Sequence, residues 1–106
     1  MRTYSLGEVI AVRVLARDFE ASGDRVVVKL GKPQNGADDH EFICPFVVEG
    51  VADDRVHVAY GVDEFQALQE AIRLLSMYLH ENINPRFENA LRWIGGGDGD
   101  IGFVRP

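Results

Sequence analysis

Tyr60-Gly61-Val62-Asp63-Glu64-Phe65-Gln66-Ala67-Leu68-Gln69-Glu70-Ala71 joins the end of a strand to the start of a helix, and the rest of the fold is read outward from that junction. Asp63 is a short side-chain acceptor at the N-cap position. Gln66, three residues on, is placed to reach back to the Asp63 amide as in a capping box. Downstream, Phe65, Leu68, Ile72, Leu75 and Leu79 recur at helical spacing as one apolar stripe, widened by Ala71, Leu74 and Tyr78, with Glu64, Gln69, Glu70, Arg73 and Ser76 mostly opposite. The helix is therefore predicted from Asp63 to about Asn82. Asn84-Pro85 stops it, because the residue before a proline is biased away from helix. The stripe is broad enough to cover one face of a sheet, which places Ile72 in the core.

Upstream, alternation marks four strands. Residues 6–17 read as a long first strand with Ile10, Val12, Val14 and Ala16 on one face, and residues 25–30 pair with it after a turn at 20–24. A loop rich in turn formers and acids, 31–40, leads to a third strand over 41–49, where Pro45 lacks an amide donor and requires an edge or a bulge. The fourth strand covers 55–60. Beyond the helix, two short apolar pieces, 90–94 and 101–104, flank Gly95-Gly96-Gly97-Asp98-Gly99-Asp100 and suggest a terminal hairpin. The expected architecture is α+β: a mainly antiparallel four-stranded sheet, one long amphipathic helix packed on a face and a short C-terminal hairpin, in a single domain over 1–106. Both faces of the first strand carry apolar residues. Its second face thus calls for cover from the terminal segment or from another copy of the chain.

Composition narrows the function classes. With 17 acidic against 11 basic residues the net charge is -6, so the average field repels a phosphate backbone and nucleic acid is not expected as partner. No stretch approaches the roughly 20 apolar residues of a spanning helix, and residues 1–10 lack a signal-like apolar run, which points to a cytoplasmic protein without a membrane partner. The lone Cys44 excludes an intrachain disulfide. It sits in an apolar run, where a thiol acts as a small buried hydrophobe rather than as a nucleophile.

Chemical motifs are sparse. Asp98 and Asp100 alternate with glycines as in a cation loop, but the third ligand and the closing glutamate of an EF-hand are missing, so the loop reads as a solvated turn. Asp38, Asp39, His40 and Glu41 diverge on extended chain and read likewise. His80 suits a helix C-terminus and His57 a packed strand face. The glycine clusters lack a P-loop lysine. No catalytic residue and no cofactor emerge. Trp93, Phe103, Tyr78 and Phe87 either finish the core or form a contact surface.

Cys44-Pro45-Phe46, the Gly-Val-Asp-x-x-Gln-Ala-Leu-Gln element at 61–69, Leu91-Arg92-Trp93 and Gly102-Phe103 together resemble an uncharacterised family of short bacterial proteins, a domain of unknown function. The resemblance implies a bacterial cytosolic origin and brings no activity or site with it. The leading reading is a non-enzymatic protein-interaction module, homodimeric or of the immunity type that neutralises a basic toxin, with Trp93, Phe103 and Tyr78 as contact residues. The alternative is a small-molecule or metal-binding protein with a pocket between the helix and the C-terminal hairpin, using Asp98, Asp100 and His57.

Overall fold

The structure, a computed structural model, describes residues 4–21 and 23–105. Five strands, β1 (Val9–Leu15), β2 (Val26–Gly31), β3 (Gln34–Asn35), β4 (Phe42–Glu49) and β5 (His57–Gly61), precede helix α1 (Glu64–Tyr78), giving an α+β fold. The sheet is open and antiparallel, ordered β1-β2-β4-β5, with β3 continuing the line of β2 along the start of β4. The four-strand meander is present. The two residues of β3 lie in the segment expected to be loop.

Pro45 explains why β2 and β3 are separate. β4 is central, not an edge, and its register runs to Leu30↔Phe46 with β2 and resumes at Gln34↔Ile43 with β3. Between those pairs Pro45 has no N–H to offer, so the neighbouring line breaks where it loses nothing. Cys44 Sγ instead donates to Gly31 O at 3.4 Å. Gly31 is required there: a Cβ would come within 2.7 Å of Pro45 Cγ.

The junction after β5 is capped nearly as the sequence predicts. Asp63 is extended (φ -143°) and its side chain accepts from the Gln66 amide at 2.7 Å. The return bond differs by one residue, because Gln66 Oε1 accepts from the Val62 amide at 2.7 Å rather than from that of Asp63. Asp63→Ala is expected to lower stability by about 0.5–2 kcal/mol, read from thermal denaturation. An unchanged midpoint would show that this cap is dispensable.

The helix is rolled relative to the predicted stripe. The seam against the sheet is Ala67, Ala71 and Leu75, whereas Phe65 is exposed and Ile72 is 44% exposed. Small residues set the roll: a Cβ at Gly61 of β5 would collide with the Ala67 amide and stand 2.9 Å from its Cα, so helix and strand meet nearly backbone to backbone. Bulky Phe65 and Ile72 cannot occupy that seam and are turned to its flank. Nor does Asn84-Pro85 end the helical path. A π-helical turn, Leu79–Ile83, passes into a 3₁₀ turn, Asn84–Phe87, where proline is tolerated near the N-terminus. Left-handed Glu88 (φ 60°) and Asn89 (φ 58°) then terminate it.

The terminal segment closes the inner, helix-bearing side of β1. Ala16 and Arg92 exchange both backbone hydrogen bonds, at 3.0 and 2.9 Å, and the Trp93 amide donates to Asp100 O at 3.0 Å across the glycine-rich turn. Buried Leu91 and Ile101 anchor it in the core. On the outer face, Ile43, Pro45 and Val47 are buried, while Val12 remains 57% exposed. The terminal segment therefore does not supply the cover that the apolar outer face of β1 called for.

Candidate interaction site

A helix about 10 Å wide spans two strands spaced about 4.8 Å apart, and α1 sits on β4 and β5. The inner face of β1 and β2 is left to the terminal segment. Between that segment and α1 lies an apolar recess of about 200 Å³ lined by Ala11, Val12, Arg13, Val28, Leu30, Ile72, Leu75 and Phe103. A shallower trough of about 550 Å³ continues it along α1, past Gln69, Arg73 and Ser76 to Val104. The roll that exposes Ile72 puts this side chain on the rim.

Arg13 organises one end of the groove. Its guanidinium lies 4.8 Å from the ring centroids of both Trp93 and Phe103, and Nη1 donates to Gly102 O at 2.7 Å. Gly102 has φ +78°, and a Cβ there would stand 2.8 Å from Trp93 Cδ1, so the close approach needs glycine. One turn apart along the helical path, Ser76 Oγ of α1 donates to Val104 O, and His80 Nε2, in the π-helical turn that follows, lies 2.9 Å from Phe103 O. Helix and terminal segment are thereby held as the two walls. Trp93 Nε1 is buried with no hydrogen-bond partner among the described residues.

Of the sequence-predicted contact residues, Trp93 and Phe103 meet around Arg13. Tyr78 does not join them: it packs on His57 (centroids 5.1 Å apart), which stacks on Phe46 at 5.3 Å and 13°. Of the alternative metal set, Asp100 Oδ1 accepts from the Gly102 amide at 2.8 Å and His57 lies between rings. Among the described residues no group of three or more His, Cys, Asp or Glu is placed to hold a metal ion. Sequence reasoning missed Ala11, Arg13 and the rim position of Ile72. The available signals were the lone cation at 13 in an apolar strand and the smallness of its neighbour Ala11.

Among the described residues, two side chains have shifted titration. Burial pushes the Cys44 thiol up to about 11, which keeps it protonated and unreactive. Burial, and secondarily the charge of Arg55, holds His57 below its ordinary 6.5, against a smaller opposing effect of Asp53. Its Nε2 is also buried without a partner among the described residues. On acidification through 6.5 the unfolded chain takes up a proton that the folded chain refuses, so stability falls with pH until the lower folded value is passed. His57→Phe keeps the stacking and removes the titration. Denaturant melts across this range should show a flatter pH dependence than the parent, and an identical dependence would show that His57 is not its source.

The profile of a family described as a domain of unknown function, DUF6968, matches residues 11–105. The chain belongs to this family. The matched span takes in every groove residue from Ala11 to Val104, so the groove is built within the family domain. No curated protein and no solved structure matches the chain. Among the described residues no helix is long and apolar enough to cross a membrane.

Proposed function

We propose that this member of the DUF6968 family is a non-enzymatic protein-interaction module that presents the free edge of β1 and the adjoining groove to a protein partner. The observation that carries the reading is the character of β1. Among the described residues it pairs with β2 alone along Val9–Leu15, with a register shift between Val9 and Ala11, and Val9, Ile10, Val12 and Val14 are all exposed with no acidic residue among them. Open sheet edges are pairing templates, normally blunted by charges or prolines. Here the strand's one charge, Arg13, is turned inward and held by the terminal segment, and the register shift between Val9 and Ala11 limits the regular edge to residues 11–15. That stretch runs beside an apolar recess, the arrangement used when an extended segment adds to a sheet and drops alternate side chains into a groove. The recess lining is aliphatic and aromatic apart from Arg13, which is already engaged by two rings and a carbonyl.

The alternative of a small-molecule pocket is favoured by the recess itself, which lies between helix and terminal segment. The recess alone, at about 200 Å³, falls below the roughly 300–1,000 Å³ of ordinary ligand sites. The larger space is the trough of about 550 Å³ along α1, where Arg73 and Ser76 are already bonded to Glu70 and Val104, which favours the protein partner. A bacterial cytosolic setting is part of the proposal, supported by the family resemblance and the single buried Cys44. The test is capture of a stoichiometric partner by the full chain, compared with Val12→Lys, Ile72→Glu and a control at exposed Val62, Val62→Lys. Loss with the first two and retention with the control is expected. Equal binding by all four proteins would overturn the placement of the site.

A further inference from the structure

We infer that the segment received by the β1 edge and its groove belongs to a basic partner: an extended stretch with an apolar side chain for the recess and, four residues further towards its C-terminus, a lysine or arginine for the acidic end of the molecule. The inference rests on the interaction reading above and adds the partner's chemistry to it. Its basis is where the net charge of -6 resides. The start of β1, the connection from β2 to β4 and the start of α1 meet at one end of the sheet: the Lys32 amide donates to Glu8 O at 2.8 Å, the Glu41 amide to Asp38 O at 3.3 Å, and Phe42 stands opposite Gly61. This end holds Glu8, Asp38, Asp39, Glu41, Asp63 and Glu64 against Lys32, which is five of the six net negative charges; the rest of the chain is nearly balanced. The four ion pairs among the described residues engage Glu49, Asp53, Glu70 and Glu88, and none of those six carboxylates.

The groove leads to that end. One turn before Ile72 on α1 stands half-buried Leu68, which with exposed Phe65 and Pro33 lines a trough of about 430 Å³ closed by Asp63 and Glu64. Asp63 is committed to the helix cap, so Glu64, with Glu8 at the start of β1, is left to meet a cation. At the far end Arg13 is already saturated by two rings and Gly102 O, and offers nothing to an acidic residue. Direction follows from the edge. Ala16 turns its N–H and C=O to Arg92 in an antiparallel bridge, away from β2, and alternation turns those of Val14 and Val12 the same way. A segment that continues this line runs from Val14 towards the start of β1, so its C-terminal part reaches the acidic end. The register shift between Val9 and Ala11 stops regular pairing before that point and leaves the contact to side chains. Spacing follows from rise: Glu64 lies eight residues before Ile72, about 12 Å along the helix, which an extended chain covers in about four residues. Residues four apart on a strand share a face, so the apolar side chain and the cation point the same way.

A display library of random dodecapeptides panned on the full chain, with affinities of the enriched peptides measured by calorimetry, tests this directly. The expected peptides carry an apolar residue followed four positions later by lysine or arginine, and their binding weakens with salt and is lost in Val12→Lys. Glu64→Lys should weaken it by about fivefold, whereas Glu81→Lys, the same change of net charge at an exposed site beyond the far end of α1, should leave it unchanged. Enriched peptides without a basic preference, or bound equally by Glu64→Lys and Glu81→Lys, overturn the inference. If binding of those peptides is still lost in Val12→Lys, the interaction reading stands. The absence of any peptide whose binding depends on Val12 removes both.

Discussion

Leu75→Ala is expected to cost about 2–5 kcal/mol of stability, whereas Ile72→Ala, three residues earlier on the same predicted stripe, should cost no more than about 1 kcal/mol. Leu75 is 1% exposed and belongs to the core formed with Val28, Phe46 and Leu79; truncation there removes burial and leaves a cavity in a packed interior. Ile72 is nearly half exposed on the groove rim, so truncation gives up only part of a side chain's burial and opens no enclosed void. Urea denaturation with unchanged m-values measures both. Equal losses would mean that the helix lies centred on the sheet with Ile72 beneath it, and the groove would not exist in solution.

Gly61→Ala is the second large effect, a loss of about 1–3 kcal/mol or more from one added methyl group. The neighbour it meets is the backbone of Ala67, which cannot rotate away as a side-chain tip could. To make room, the first turn of α1 must lift from β5, straining the Asp63 and Gln66 bonds that fix its start. Gly97→Ala is the internal control, since a Cβ there meets nothing within 4 Å and the residue is outside the positive-φ set. Thermal denaturation should separate the two variants clearly. Matching midpoints would contradict the close helix–strand contact that sets the roll of α1.

The strand-to-helix junction, the meander and the helix were legible in sequence because each is dictated by local rules: alternation, turn residues and a cap. The roll of α1 was not. An arc containing Phe65, Leu68, Ala71, Ile72, Leu75 and Tyr78 allows more than one seam, and the choice is made by Gly61 on another element, which periodicity within the helix does not encode. Pro85 misled for a related reason. Proline disfavours helix in the residue before it, yet Ile83 and Asn84 continue the helical path through π and 3₁₀ geometry, with the buried Asn84 side chain accepting from the Leu91 amide at 3.0 Å. At the groove, Trp93 and Phe103 were visible as aromatics free to form a contact surface. Their pairing around Arg13 was not visible, because it joins the first strand to the end of the chain. The Asp98, Asp100 and His57 set had been linked by residue type alone; the fold spends Asp100 on its own turn and lays His57 between Phe46 and Tyr78.

Amide hydrogen exchange at Val12 and Val14, followed by NMR in the full chain from dilute to concentrated solution and again with any captured partner, tests the binding role of the β1 edge most directly. In the free chain both amides point away from β2 and should exchange rapidly. On assembly they should become protected, while the amide of exposed Val62 serves as the reference and stays unchanged. Rapid exchange at Val12 and Val14 in every assembled state would show that partners bind elsewhere and that the β1 edge is not the site.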